Sequence, residues 1–167
     1  TFKVDAIYLK NVDSSVNADK TGSVPINGGH EGAVVTKYLY EAVTGHTANT
    51  ELTTPYYFYT FPNVDSSKPT KLIIKGLFDA DGSGSTSAPI ARYYPITINK
   101  KQANTTISGG AGTDKGSIAA NTRYVLTAVI KGEGAADDKT DIDPATLQLT
   151  VTVADWALTI SQNVTFE

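Results

Sequence analysis

Apolar and polar residues alternate along most of the chain, and a period of two marks a strand with one buried face. Seven segments carry this pattern. Phe2–Val12 sets Phe2, Val4, Ala6 and Tyr8 on one face. Tyr56–Phe61 is a short aromatic run. In Thr70–Phe78, Leu72, Ile74 and Phe78 share a face, and in Ile90–Ile98 so do Ile90, Tyr94, Ile96 and Ile98. Thr122–Lys131 is apolar on both faces, with Tyr124, Leu126, Ala128 and Ile130 against Val125 and Val129. That pattern predicts a strand in the middle of its sheet. Thr146–Val153 and Trp156–Phe166 complete the set.

One segment departs from period two. Ala33–Val43 places Val34, Val35, Tyr38, Leu39 and Ala42 at helical spacing, with Gly32 before it and Gly45 after it. This predicts one short helix. The stretches Asp79–Pro89, Asn99–Asn121 and Gly132–Pro144 are rich in Gly, Asp and Ser and read as connections. Asp13–Pro55 is long for an excursion within a compact domain, which makes it functional or misassigned. A parallel α/β fold needs a helix after most strands. Strands joined by turns, with a single helix, predict a two-layer β-sandwich of about seven strands.

The carboxyl end is the most informative segment. Leu147, Leu149, Val151 and Val153 are apolar at odd positions, and after Ala154-Asp155 the phase flips. Trp156, Leu158, Ile160, Val164 and Phe166 are then apolar at even positions, with Gln162 the one interruption. A one-residue slip turns a strand's apolar set over, so the flip marks a bulge or a new strand. The expected division is a β-sandwich over 1–155 and a separate terminal strand over 156–167. Burying Leu158, Ile160, Val164 and Phe166 contributes roughly 6–12 kcal/mol. The host is either this domain's own sheet or another chain joined by strand addition, where alternate side chains fill pockets.

Composition narrows the field. The chain has 167 residues, one domain by length. Only 19% are charged, against 23 Thr, 11 Ser and nine Tyr, so much of the surface is hydroxyl and the composition favours strands. The net charge of −3 provides no basic field for nucleic acid or an anionic membrane. With no Cys there is no disulfide, zinc site, iron–sulfur cluster or cysteine nucleophile. Met is absent as well, and the chain opens inside an alternating pattern at Thr1-Phe2-Lys3-Val4. The expectation is a processed piece of a longer precursor.

Several motifs in order resemble the C-terminal domain of Bacteroidales fimbrillins, the subunits of type V pili. The opening Phe2-Lys3-Val4…Ile7-Tyr8-Leu9-Lys10-Asn11-Val12 is similar to that family's first strand after its N-terminal domain, and Pro55-Tyr56-Tyr57-Phe58-Tyr59 to its aromatic strand. Thr70-Lys71-Leu72-Ile73-Ile74-Lys75-Gly76 and Arg92-Tyr93-Tyr94-Pro95-Ile96 resemble the next pair. Asn121-Thr122-Arg123-Tyr124…Val129-Ile130-Lys131-Gly132-Glu133-Gly134 is the most specific match, and Asp155-Trp156 completes it. The resemblance implies a transthyretin-like sandwich, most like a shaft subunit, secreted as a lipoprotein and assembled into fimbriae on the outer membrane of a Gram-negative bacterium. It implies that an arginine-specific protease cuts away an N-terminal strand, and that the groove so opened receives a neighbour's C-terminal segment. Trp156, Leu158, Ile160, Val164 and Phe166 match that donor. Implied partners are other fimbrillin subunits, with accessory and anchor proteins, and host surface proteins or glycans as adhesion targets. The acceptor groove would lie outside these 167 residues. No enzyme activity and no cofactor are implied.

Other chemistry is weakly signalled. Asp79-Ala80-Asp81-Gly82-Ser83-Gly84 opens like a calcium loop, with Asp79, Asp81 and Ser83 as candidate ligands, but the twelfth place holds Ile90 rather than Glu. Asp137, Asp138, Asp141 and Asp143 form a second acidic run, more commonly a solvated loop. His30 and His46 stand among turn residues without ligand spacing. No Gly-x-Ser-x-Gly elbow is present, which disfavours a hydrolase. Asn104-Thr105-Thr106 and Asn163-Val164-Thr165 are sequons. Tyr56–Tyr59 and Tyr93-Tyr94 could form a sugar-binding platform, as in a tip adhesin or carbohydrate-binding module, although at strand spacing core packing is the commoner use.

Overall fold

The computed structural model describes residues 1–16, 23–25, 39–82, 89–101, 105–109, 116–140, 142 and 146–155. These form nine strands: β1 (Phe2–Lys10), β2 (Asp13–Val16), β3 (Ser23–Pro25), β4 (Tyr40–Ala42), β5 (Lys71–Phe78), β6 (Ile90–Thr97), β7 (Thr105–Gly109), β8 (Thr122–Ile130) and β9 (Leu147–Asp155). A four-stranded antiparallel sheet runs β4-β1-β5-β6. A three-stranded sheet runs β7-β9-β8, with β9 parallel to β7 and antiparallel to β8. β2 and β3 form a separate ribbon.

The two larger sheets share one core, which makes the fold a β-sandwich. Phe2, Val4, Ile7, Ile74, Tyr94 and Ile96 of the first sheet belong to the same buried cluster as Leu147, Val151 and Val153 of β9. Tyr124, Leu126, Ala128 and Ile130 of β8 and Ile107 of β7 pack against that cluster. The alternation seen in the sequence is what lets each sheet turn an apolar face inward.

β1 does not keep the single face its alternation predicts. Its register against β5 shifts between Val4 and Ala6, so Asp5 is an extra residue. A bulge of this kind turns over the residues beyond it. Phe2, Val4 and Ile7 therefore reach the core between the sheets, while Ala6 and Tyr8 join Ile73 and Tyr93 in a second buried cluster on the opposite face. Gly76 stands across from Val4. A Cβ there would overlap the Lys3 carbonyl oxygen and the Phe2 ring, so the missing side chain makes room for Phe2.

The segment after β8 covers that second cluster. Ala135 exchanges two backbone hydrogen bonds with Tyr93 (3.0 and 2.8 Å), which continues the sheet past β6. Asp138, 4% exposed, accepts from Lys10 Nζ at 2.6 Å and from the Tyr8 hydroxyl at 3.2 Å. Tyr40 of β4 stacks on Tyr8 with ring centroids 5.8 Å apart.

Four expectations are corrected. The helix over Ala33–Val43 is contradicted where it can be checked: Tyr40–Ala42 is strand β4, paired with Ala6, Ile7 and Tyr8, and 33–38 lie outside the described residues. Leu39 and Val43 are both buried and lie four residues apart, a spacing that serves a strand as well as a helix. Tyr56–Phe61 is not a strand and enters no sheet among the described residues. Thr122–Lys131 is not central, because among the described residues β8 is the outer strand beside β9, and Val125 and Val129 are 46% and 50% exposed. Valine suits a pleated strand whether or not its outer face is covered. Asn99–Asn121 is not only a connection, since it contains β7. The expected strand Trp156–Phe166 lies outside the described residues.

Candidate functional site

Three surfaces carry the functional candidates, and the first is the end of β9. This strand lies between β7 and β8, and its register places Asp155 against Thr122. Its inward side chains Leu147, Val151 and Val153 anchor it in the core. The turn entering β8 uses Asn121 at a φ of 54°, and the Tyr124 hydroxyl accepts the Ala119 N–H at 2.9 Å. The chain leaves β9 from a fixed point, the middle of a sheet. The donor candidates Trp156, Leu158, Ile160, Val164 and Phe166 all lie beyond that point, outside the described residues.

The second surface is aromatic. Tyr56 and Phe58 pack against the core, while Tyr57 and Tyr59 face outward, 70% and 64% exposed, followed by Phe61. The platform expectation therefore divides by parity: even residues serve packing and odd residues face solvent. No charged residue lies between Glu51 and Asp65. The segment is tied down beyond Phe61, where Asn63 exchanges two backbone bonds with Ile118 (3.0 and 2.8 Å). The buried Asn63 amide donates to the Asn11 and Lys68 carbonyls and to the Thr70 hydroxyl, each at 3.0 Å. Tyr93 and Tyr94 are both buried and offer no platform.

The third surface is the outward face of the β7-β9-β8 sheet, which the sequence reading did not single out. Thr106, Thr150 and Thr127 stand in one register row across the three strands, and Ser108, Thr152 and Val125 form the next. All six are exposed. The residues were legible as polar alternation, but their alignment depends on register, which no single strand reveals.

Of the acidic residues and histidines, Asp65, Asp137, Asp138 and His46 make structural contacts. Asp79 is buried and Asp81 exposed, and Ser83 lies outside the described residues. Among the described residues no group of three or more His, Asp or Glu could hold a metal. The second acidic run is not simply solvated: Asp138 is the buried partner of Lys10. Asp137 accepts the Thr140 and Lys139 N–H groups, which holds its carboxyl below the usual value. Asp65 is lowered in the same way by the Ser67 hydroxyl and N–H. His46 is not a free loop side chain. Its Nδ1 accepts the Val4 N–H at 2.9 Å and its Nε2 lies 3.0 Å from the Thr50 carbonyl oxygen. Beside it Asn49 Oδ1 accepts the Phe2 N–H at 3.0 Å. Together these side chains occupy the edge of β1 that β4 is too short to pair. His30 lies outside the described residues.

The described residues thus form a β-sandwich whose last described strand, β9, lies at the centre of its sheet. Residues 14–160 match the family model for the FimA-like major fimbrial subunit protein, C-terminal domain. The chain belongs to that family, one of fimbrial subunits. Its fold is similar to that of a fimbrilin from Porphyromonas gingivalis W83 (TM-score 0.56, 19% identity), over 93% of this chain and 51% of that one. It is also similar to a protein of Parabacteroides distasonis ATCC 8503 named "Putative cell adhesion protein" (TM-score 0.53, 16% identity), over 93% of this chain and 53% of that one. The chain thus spans about half the length of these structures. No curated protein matches it in sequence.

Proposed function

We propose that this chain is the C-terminal domain of a fimbrial shaft subunit that polymerises by donating residues 156–167 to a neighbouring subunit. The observation that carries the proposal is the apolar file Trp156, Leu158, Ile160, Val164 and Phe166, which follows directly on β9 in a chain of this family. An alternating segment issuing from a rigid sheet suits strand addition: backbone bonds supply affinity and one file of side chains fills a groove. The partners are other fimbrial subunits, and the setting is a surface appendage of a Gram-negative bacterium that supports adhesion. Residues 1–155 act as the rigid body that positions the donor. The test is deletion of 156–167 from the full-length subunit. The expected result is loss of polymer while the remaining protein stays folded and soluble; normal filaments from the truncated subunit would overturn the proposal.

A second reading rests on Tyr57 and Tyr59. Exposed aromatic rings in a segment that carries no charged residue from Leu52 to Val64 suit stacking on the apolar faces of sugar rings, as in an adhesin. It predicts that Tyr57→Ala and Tyr59→Ala abolish binding in a glycan array and leave assembly intact.

A further inference from the structure

The geometry points to the outward face of the β7-β9-β8 sheet as a contact surface for a second copy of this chain, too weak to hold two free molecules and strong enough to join two arrays. Register and chemistry are the first support. Thr106, Thr150 and Thr127 align across all three strands, and Val125 and Val129 flank Thr127 on β8. Hydroxyls that both donate and accept, beside methyl groups, complement another copy of themselves.

Charge selects the occupant. Each molecule carries a net −3, so two copies repel at long range. On this face Arg123 is the one charge among the described outward side chains of the three strands. Two like-charged molecules can approach there without bringing charges together, and stacking with strands reversed sets the two Arg123 side chains at opposite ends.

Area sets the strength. A face three strands wide and up to nine residues long measures roughly 14 by 26 Å, or about 350–400 Å2. Two such faces bury roughly 700–800 Å2, below the roughly 1,200 Å2 at which stable interfaces begin. A single contact therefore does not hold, but many in parallel do, since linked copies gain effective concentration. In the polymer of the preceding section the face would join filaments side by side; only that last step rests on the polymer reading.

The test needs no polymer. The full chain, tagged at its amino end, is displayed densely on beads. In dilute solution the chain is expected to sediment as a monomer, while the beads agglutinate. The double variant Val125→Glu/Val129→Glu is expected to need at least about tenfold more beads to clump, with an unchanged thermal midpoint. Beads carrying that variant, mixed with beads carrying Val125→Lys/Val129→Lys, are expected to clump again, which loss of folding could not produce. Replacing Tyr57 and Tyr59 by Ser should leave agglutination unchanged. The inference is overturned if wild-type beads stay dispersed, if the Glu variant clumps as well as wild type, or if the Tyr variant is the one that disperses. Clumping beads from a subunit that forms no filaments would leave the face assigned and remove only the polymer reading.

Discussion

Tyr94 shows how one side chain ties the core to a condition that can be varied. It is fully buried, its ring meets Phe2 edge-on with centroids 5.1 Å apart, and its hydroxyl donates to the Gly132 carbonyl. Burial pushes its pKa up from 10 to about 12, with Glu133 adding to the rise against the Gly134 N–H and Arg92. The native state thus holds this proton over a range where the unfolded chain has released it. Stability from Tyr94 is complete below about pH 10 and is lost as pH rises from there through about 12. The expected outcome is a thermal midpoint that falls across that window, followed by circular dichroism. Tyr94→Phe should cost about 1 kcal/mol at neutral pH and flatten the alkaline decline. The Lys10–Asp138 pair makes a different prediction. Both partners are largely buried, so Lys10→Met, which strands the Asp138 charge, should cost about 3 kcal/mol in urea unfolding. Asp138→Leu in the same molecule should restore more than half of it. Equal destabilisation by the single and double variants would show that the pair does not hold the covering segment.

Among the elements, the bulge in β1 is the feature on which the first sheet turns. Gly76 accepts the Phe2 ring where any Cβ would meet it and the Lys3 backbone. Gly76→Ala must therefore displace Phe2 or open β1 from β5. The expected cost is about 1–3 kcal/mol, read from denaturant midpoints. Pairing it with Phe2→Leu should recover part of the loss, because the smaller side chain vacates the contested space. β1, β5, β6, β8 and β9 were all legible, since each carries a long alternating apolar file. The bulge was not, because Phe2, Val4, Ala6 and Tyr8 continue the alternation straight through Asp5 and both resulting faces are buried. β7 was hidden for a different reason: Thr105–Gly109 has a single large apolar residue, Ile107, and its pairing with β9 is parallel and about 40 residues distant. β4 was masked because its three residues are too few to show a period of two, and Tyr38, Leu39 and Ala42 fall at helical spacing. Of the candidate surfaces, the terminal apolar file was legible from periodicity. The threonine row was not, because it exists only once three distant strands are in register.

At the scale of the whole molecule, β9 is the strand that cannot be spared. It is the centre of its sheet, so removing it leaves β7 and β8 without their common partner. It also contributes Leu147, Val151 and Val153 to the core that the two sheets share. Burying those three side chains contributes roughly 4–9 kcal/mol, comparable with the whole stability of a domain. A chain ending after Thr146 should therefore show no cooperative melt. A chain ending after Asp155 keeps every described strand and should melt cooperatively, within a few degrees of the full chain. Trp156 is the single tryptophan and is absent from both truncations, so the tyrosine near-ultraviolet circular dichroism is the appropriate signal, set against the far-ultraviolet signal for coincidence. The comparison separates two roles for the terminal file. If the longer truncation loses its cooperative transition, residues 156–167 complete their own sandwich and are not available to a neighbour. If it melts like the full chain, the apolar file contributes little to its own domain, as a segment destined for another subunit must.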